Sequence, residues 1–189
     1  LITDGARLLA QWPEGMGRRL AKVLDKRGVR LVFNRRITGA GDQQLIAGNG
    51  EPFAYDLAVA ATGLKPVAVL RQLDLPTNAA GGLRVDEKLR AIGDHRIYGA
   101  GDCIHFNGRA LPRLGVFAVR QAPVLLDNLL AALDGRPQRA YKPQSRYLSI
   151  LNLGDGTGLA VRGALHWRGR VSLWWKNRLD RQFLDCYRY

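Results

Sequence analysis

RIYGAGDCIHFNG, residues Arg96 to Gly108, decides how the rest of the chain is read. Ile97 and Tyr98 read as the end of a short buried strand, which breaks at Gly99 and Gly101, next to Asp102. Pro112 then starts a helix a few residues on. A strand, a glycine turn, an acidic residue and a helix N-terminus in this order make a place to hold a polar cofactor. The glycines let backbone come close to the ligand. The Asp102 carboxylate can accept hydrogen bonds from ligand hydroxyls, and the first helical turn offers N–H groups that have no partner inside the helix.

Two flanking stretches extend this reading. Upstream, YDLAVAATGLKP (Tyr55 to Pro66) holds the continuous apolar run Leu57 to Ala61, expected as a parallel strand buried on both faces. The run ends in Thr62-Gly63, where a missing side chain lets backbone pass close to a nucleotide or a neighbouring segment. Downstream, LPRLGVFAVRQAPVLLDNLLAAL predicts a helix over Pro112 to Leu133, with Leu114, Phe117, Ala118, Gln121, Leu125, Leu129 and Ala132 at helical spacing and Gly135 as its C-terminal cap. Most of that stripe is core. Its functional part is the first turn, where Gly115 and Val116 carry free N–H groups.

Taken together, these segments resemble the FAD-dependent pyridine nucleotide-disulfide oxidoreductases, whose second flavin motif is a hydrophobic strand ending in Ala/Gly-Gly-Asp. Within that family the chain is most similar to the type II NADH dehydrogenase-like branch, as found fused to selenide, water dikinase, through GVFAVRQAP, LSILNLGDG and WWKNRLDRQF. The resemblance implies an α/β fold: a partial two-domain, Rossmann-like FAD- and NAD(P)H-binding architecture with a small α+β C-terminal region. It assigns residues 1–66 to the NAD(P)H-binding domain, 67–135 to the FAD-binding domain and 136–189 to the small C-terminal domain. It also implies that Gly101 and Asp102 hold the flavin's ribityl chain, that Gly115 and Val116 face its pyrimidine edge, and that Thr62 and Gly63 lie where the chain returns to the FAD domain. The activity implied is electron transfer from NAD(P)H through FAD to an acceptor, for which a quinone is one candidate. No side chain is then required as a general acid or base, because the flavin carries the chemistry.

Departures from the family pattern leave two points open. Type II enzymes have an Ala-Gln pair where this chain has Gly115-Val116, so the acceptor is open. At the end of the first strand, Thr3 stands where NAD-specific relatives carry an acidic residue for the ribose, with Asp4 beside it, so NADH versus NADPH is open. The chain also begins at Leu1 inside an apparent strand and has no GxGxxG, which leads to the expectation of the C-terminal part of a longer protein.

Elsewhere the pattern predicts a helix over Pro13 to Arg27 with Met16 in its core stripe, a strand at Val29 to Phe33 and a hairpin through Ile37 to Ile46. GAGDQQ and GDGTG superficially match phosphate loops, but neither opens a helix, and both are read as hairpin turns. A short helix at Val67 to Leu73, a strand at Leu83 to Val85 and a polar connector from Arg136 to Gln144 are expected. Strands at Tyr147 to Leu151, Gly158 to Arg162 and Ala164 to Trp167 then lead to an amphipathic helix from Val171 to Tyr187.

The net charge of +13 and pI near 10.5 point to anionic partners. Trp beside Lys and Arg on the last helix suits an interfacial anchor, and equally a helix packed onto the neighbouring domain. A cytoplasmic protein, in one reading peripheral on the inner face of the membrane through 171–187, is expected. No run is read as a membrane span, since Arg120, Asp127 and Asn128 cut Val116 to Leu133. The cysteines Cys103 and Cys186 form no CxxC, and no metal site is expected. Two further classes stay open beside the enzyme: a basic module for acidic lipid, with nucleic acid the weaker partner because the charge is spread, and a fragment that is catalytically silent without the upstream half.

Overall fold

A computed structural model describes residues 1–106, 109–186 and 188. Asn107 and Gly108 of the quoted motif and Tyr187 of the predicted last helix lie outside the described residues. In chain order the elements are α1 (Glu14–Asp25), β1 (Ile37–Gly41), β2 (Gln44–Ala47), β3 (Pro52–Ala54), β4 (Leu83–Val85), β5 (Arg90–Ala91), β6 (Asp94–Tyr98), β7 (Ile104–Phe106), α2 (Gly115–Leu133), β8 (Leu148–Asn152), β9 (Gly158–Arg162), β10 (Leu165–Gly169) and α3 (Arg170–Asp185). Two 3₁₀ turns, Ala68–Leu73 and Gly101–Cys103, complete the set. The chain divides into two compact units, Leu1–Ala60 with Leu148–Tyr189, and Ala61–Tyr147. Within the first unit, β8 and β9 share a core with α1.

In the first unit, α1 starts behind Pro13 and buries Met16 and Val23 against Leu153, Leu159 and Val161 of the β8–β9 hairpin. Gly17 sits inside this helix because a Cβ there would lie 2.3 Å from the Leu8 carbonyl oxygen. Strands β1, β2 and β3 form an antiparallel meander, and β8, β9 and β10 a second one with unbroken register from Leu148↔Arg162 to Asn152↔Gly158. GAGDQQ and GDGTG are the turns of these hairpins, as expected. The predicted strand Val29 to Phe33 is reduced to one parallel bridge, Ile2↔Val32, since only the Leu1–Thr3 segment pairs with it. α3 lies on the β8–β10 sheet through its fully buried Ser172, and Trp175 stacks on Trp167 with ring centroids 6.4 Å apart.

The second unit is a four-stranded sheet in the order β6-β5-β4-β7, with β4 and β7 parallel and the other pairs antiparallel. Leu70, Leu83, Val85, Leu89, Ala91, Phe106 and Tyr141 form its core. Tyr141 packs edge-on to Phe106, so the segment predicted as a polar connector contributes a core residue. Ile97 and Tyr98 end an edge strand and are half-buried rather than buried, because β6 has a neighbour on one side only.

Two expectations are corrected here. Leu57 to Ala61 is not a strand: Leu57 and Val59 are each 82% exposed, and no described strand pairs with the run. An all-apolar strand needs neighbours on both edges and cover on both faces, and without them the run stays extended. The sequence reading also excluded a membrane-length apolar helix, whereas α2 is long and apolar enough to cross a membrane by length and composition alone. Its inner face nevertheless belongs to this unit, where Asn128 donates to the carbonyls of Lys88 and Arg139 at 2.8 and 2.9 Å and accepts from the Arg139 N–H at 2.9 Å.

Candidate functional site

The GAGD turn crosses the end of the second unit's sheet, from β6 at one edge to β7 at the other. The crossing is tight at Gly99, where a Cβ would stand 2.7 Å from Ile104 Cγ2 and 3.3 Å from Leu83 Cδ2. Gly101 has a φ of +73°, a left-handed conformation that favours glycine. Just beyond it, Asp102 is exposed on a single 3₁₀ turn.

α2 fixes this turn from one side. The buried Gln121 side chain accepts the Gly101 N–H on Oε1 at 2.6 Å. Arg113, just ahead of the helix, donates from Nε to the Asp102 carbonyl at 3.2 Å and from Nη1 to the Leu64 carbonyl at 3.0 Å. The backbone of the turn is thus held at an N–H and at a carbonyl, while the Asp102 carboxylate has no partner among the described residues. Gly115 and Val116 begin α2, and their N–H groups make no hydrogen bond among the described residues, since Leu114 provides no side-chain cap.

An open cavity of about 610 Å³ lies beside the turn, lined by Thr62, Gly63, Leu64, Asn78, His105 and Arg113 among others. Asn78 Oδ1 accepts the Gly82 N–H at 2.8 Å, which orients the amide so that Nδ2 donates to His105 Nδ1 at 3.2 Å. His105 therefore has its proton on Nε2 in the neutral state. Among the described residues no group of His, Cys, Asp and Glu side chains forms a metal site.

The structure brings Thr62, Gly63, Gly101, Asp102, Gly115 and Val116 into one unit. Thr3 belongs to the other, where its Oγ1 accepts from the Gly5 N–H at 3.2 Å. Sequence reasoning missed Arg113, Gln121, Asn78 and His105. The signal for Gln121 was a polar residue inside the apolar stripe of α2, which was counted as core.

A sequence profile described as pyridine nucleotide-disulphide oxidoreductase matches residues 1–122. The chain belongs to that family. FAD and NAD(P)H are the family's cofactors, and FAD fits the residues present: on a fixed turn, a carboxylate without a partner among the described residues, a left-handed glycine beside it, a helix start whose first N–H groups are unbonded among the described residues, and an adjoining cavity. Among curated relatives of this family member, the type II NADH:quinone oxidoreductase of Haemophilus influenzae is 30% identical over 163 residues, covering 84% of this chain and 36% of the relative. A nitric oxide reductase FlRd-NAD(+) reductase of Vibrio vulnificus is 36% identical over 150 residues, covering 76% and 37%. The chain thus spans a little over a third of the length of these relatives. In fold it is similar to the sulfide:quinone oxidoreductase of Aquifex aeolicus, with a TM-score of 0.73 at 15% identity over 97% of this chain and 48% of that one.

Proposed function

We propose that the chain forms part of an FAD-dependent oxidoreductase that takes electrons from NAD(P)H and delivers them to an acceptor, with a quinone as the acceptor. The observation that carries this reading is an exposed Asp102 carboxylate, without a partner among the described residues, on a turn whose backbone is already held by Gln121 and Arg113. When bound, the flavin supplies the hydride-accepting and electron-donating chemistry. Asp102 would accept hydrogen bonds from ribityl hydroxyls. The N–H groups of Gly115 and Val116 would meet a carbonyl at the flavin's pyrimidine edge, where a helix N-terminus favours negative charge. Thr62 and Gly63 would let backbone approach the cofactor. Thr3 would face the ribose of the nicotinamide dinucleotide, its Oγ1 taking the Gly5 N–H on one lone pair and keeping its O–H to donate.

In this reading residues 1–66 serve the nicotinamide nucleotide, 67–135 the flavin, and 136–189 complete a small C-terminal region. The quinone assignment is supported by the Haemophilus relative, whose name carries that substrate. The test is anaerobic mixing of the full-length, FAD-loaded protein with NADH and, separately, NADPH. Loss of the oxidised flavin's visible band, followed by its return on adding a soluble quinone, supports the reading. A flavin that neither nucleotide bleaches would refute it.

A membrane surface is the second part of the proposal, favoured by one feature of α3. Val171, Trp174, Arg178 and Arg181 recur at helical spacing, and all are exposed, with Trp174 at 63%. An apolar and aromatic row continued by arginines suits the boundary between acyl chains and acidic headgroups. In this reading the protein is peripheral on the inner face of the membrane. Trp174→Ser together with Trp175→Ser should abolish sedimentation with vesicles containing acidic lipid, and unchanged sedimentation would sink the membrane part alone.

A further inference from the structure

We infer that Gln121 is a positioning residue for flavin binding: its buried amide holds the Gly101 N–H at 2.6 Å and so sets the direction in which Asp102 is presented. The inference rests on the flavin reading above and adds a residue and a pathway to it.

Gln121 lies at 1% exposure on the inner face of α2. A glutamine there forfeits the burial that a leucine would gain, so its place in the core depends on hydrogen bonding. Oε1 takes the Gly101 N–H at 2.6 Å. An amide Nε2 can only donate, so this N–H is met by the amide oxygen alone, and the bond itself fixes which way the side chain is turned. Gly101 Cα in turn sits against α2, where a Cβ would be 3.4 Å from Ala118 Cβ. A left-handed residue followed by a single 3₁₀ turn has few internal bonds to define it, so the Gln121 bond to its N–H, beside the Arg113 bond to the Asp102 carbonyl, sets its geometry.

The test is an FAD titration of the full-length apoprotein, followed by flavin fluorescence and by hydrogen–deuterium exchange of the peptide carrying the turn. Gln121→Met keeps the volume and removes the acceptor. We expect it to weaken FAD binding about tenfold, as for a lost buried hydrogen bond, and to speed exchange at Gly101. Because Gln121 acts through the turn, the double variant Gln121→Met, Asp102→Ala should bind FAD no worse than Asp102→Ala alone. Wild-type affinity in Gln121→Met, or losses that multiply in the double variant, would overturn the inference. If Gln121→Met fails to fold, wild-type hydrogen exchange reads the same bond. A Gly101 amide protected well beyond that of a free loop supports the inference, and one that exchanges as fast as a free loop overturns it. Wild-type affinity in Asp102→Ala alone would instead refute the flavin reading itself, and the inference with it.

Discussion

The Arg113 guanidinium donates from Nη1 to the Leu64 carbonyl at 3.0 Å, joining segments 49 residues apart. Its Nε simultaneously holds the Asp102 carbonyl. One side chain thus ties the Thr62–Leu64 stretch, which has no strand partner, to the turn that carries the candidate flavin ligand. Removing it should free the stretch without emptying any core. Arg113→Ala is expected to raise hydrogen exchange across residues 62–64 and to weaken FAD binding by about fivefold, the scale of one or two partly exposed charge-assisted bonds. Mass-spectrometric exchange and a fluorescence titration check both parts, and unchanged exchange there would contradict the role of Arg113.

Asn128 does for the 136–144 segment what Gln121 does for the turn. At 1% exposure it satisfies the carbonyls of Lys88 and Arg139 and the N–H of Arg139. Asn128→Ala removes the partner of three part-buried groups, so chemical denaturation should show a loss of about 2 kcal/mol. A loss below about 1 kcal/mol would mean that water replaces the amide.

Tyr141 gives the second unit an alkaline limit. Burial pushes its phenol above the ordinary tyrosine value, with nearby arginines and the Gln121 hydrogen bond opposing that shift. A group whose folded pKa is raised contributes stability that is complete below its unfolded value and is lost as pH rises through the folded value. Melting temperature measured from about pH 9 to about pH 12 should fall in the wild type, and fall less steeply in Tyr141→Phe. Parallel curves would show that Tyr141 is not the group responsible.

At the acid end the same reasoning applies to Asp94, at the start of β6. Its carboxylate is held at about 2, below the ordinary 3.8, chiefly by the Arg96 side chain and also by the Arg96 N–H. The pairing is complete above pH 3.8 and is lost as pH falls toward 2, the sign for a depressed carboxylate. Carbon-detected NMR titration should place the Asp94 midpoint near 2 in the wild type and return it toward the ordinary value in Arg96→Gln. An ordinary midpoint in the wild type would contradict the ion pair.

Most of what depends on local pattern was legible in the sequence. The period of α2 and the hairpin glycines of GAGDQQ and GDGTG are short-range signals, and these elements formed close to their predicted bounds. Gly101, Asp102, Gly115 and Val116 could be selected because a glycine turn and a helix start have sequence signatures of their own. What was not legible depends on partners distant in the chain. Leu57 to Ala61 has the composition of a central strand, but composition does not provide the neighbouring strands that would make it one. Gln121 read as a core position and Arg113 was not singled out, since their roles are defined by carbonyls and N–H groups 11 to 49 residues away. The packing of the β8–β9 hairpin on α1 is of the same kind, because no local pattern encodes which helix a hairpin will cover.

The account turns on the Asp102 carboxylate being a flavin ligand presented by a turn that α2 fixes. The most direct measurement is the FAD dissociation constant of the full-length protein and of its Asp102→Ala variant, with apoprotein melting temperatures recorded in parallel. The account predicts equal melting temperatures and at least tenfold weaker FAD binding in the variant, as expected when hydrogen bonds to a charged group are lost. Equal affinities in two equally stable proteins would contradict it.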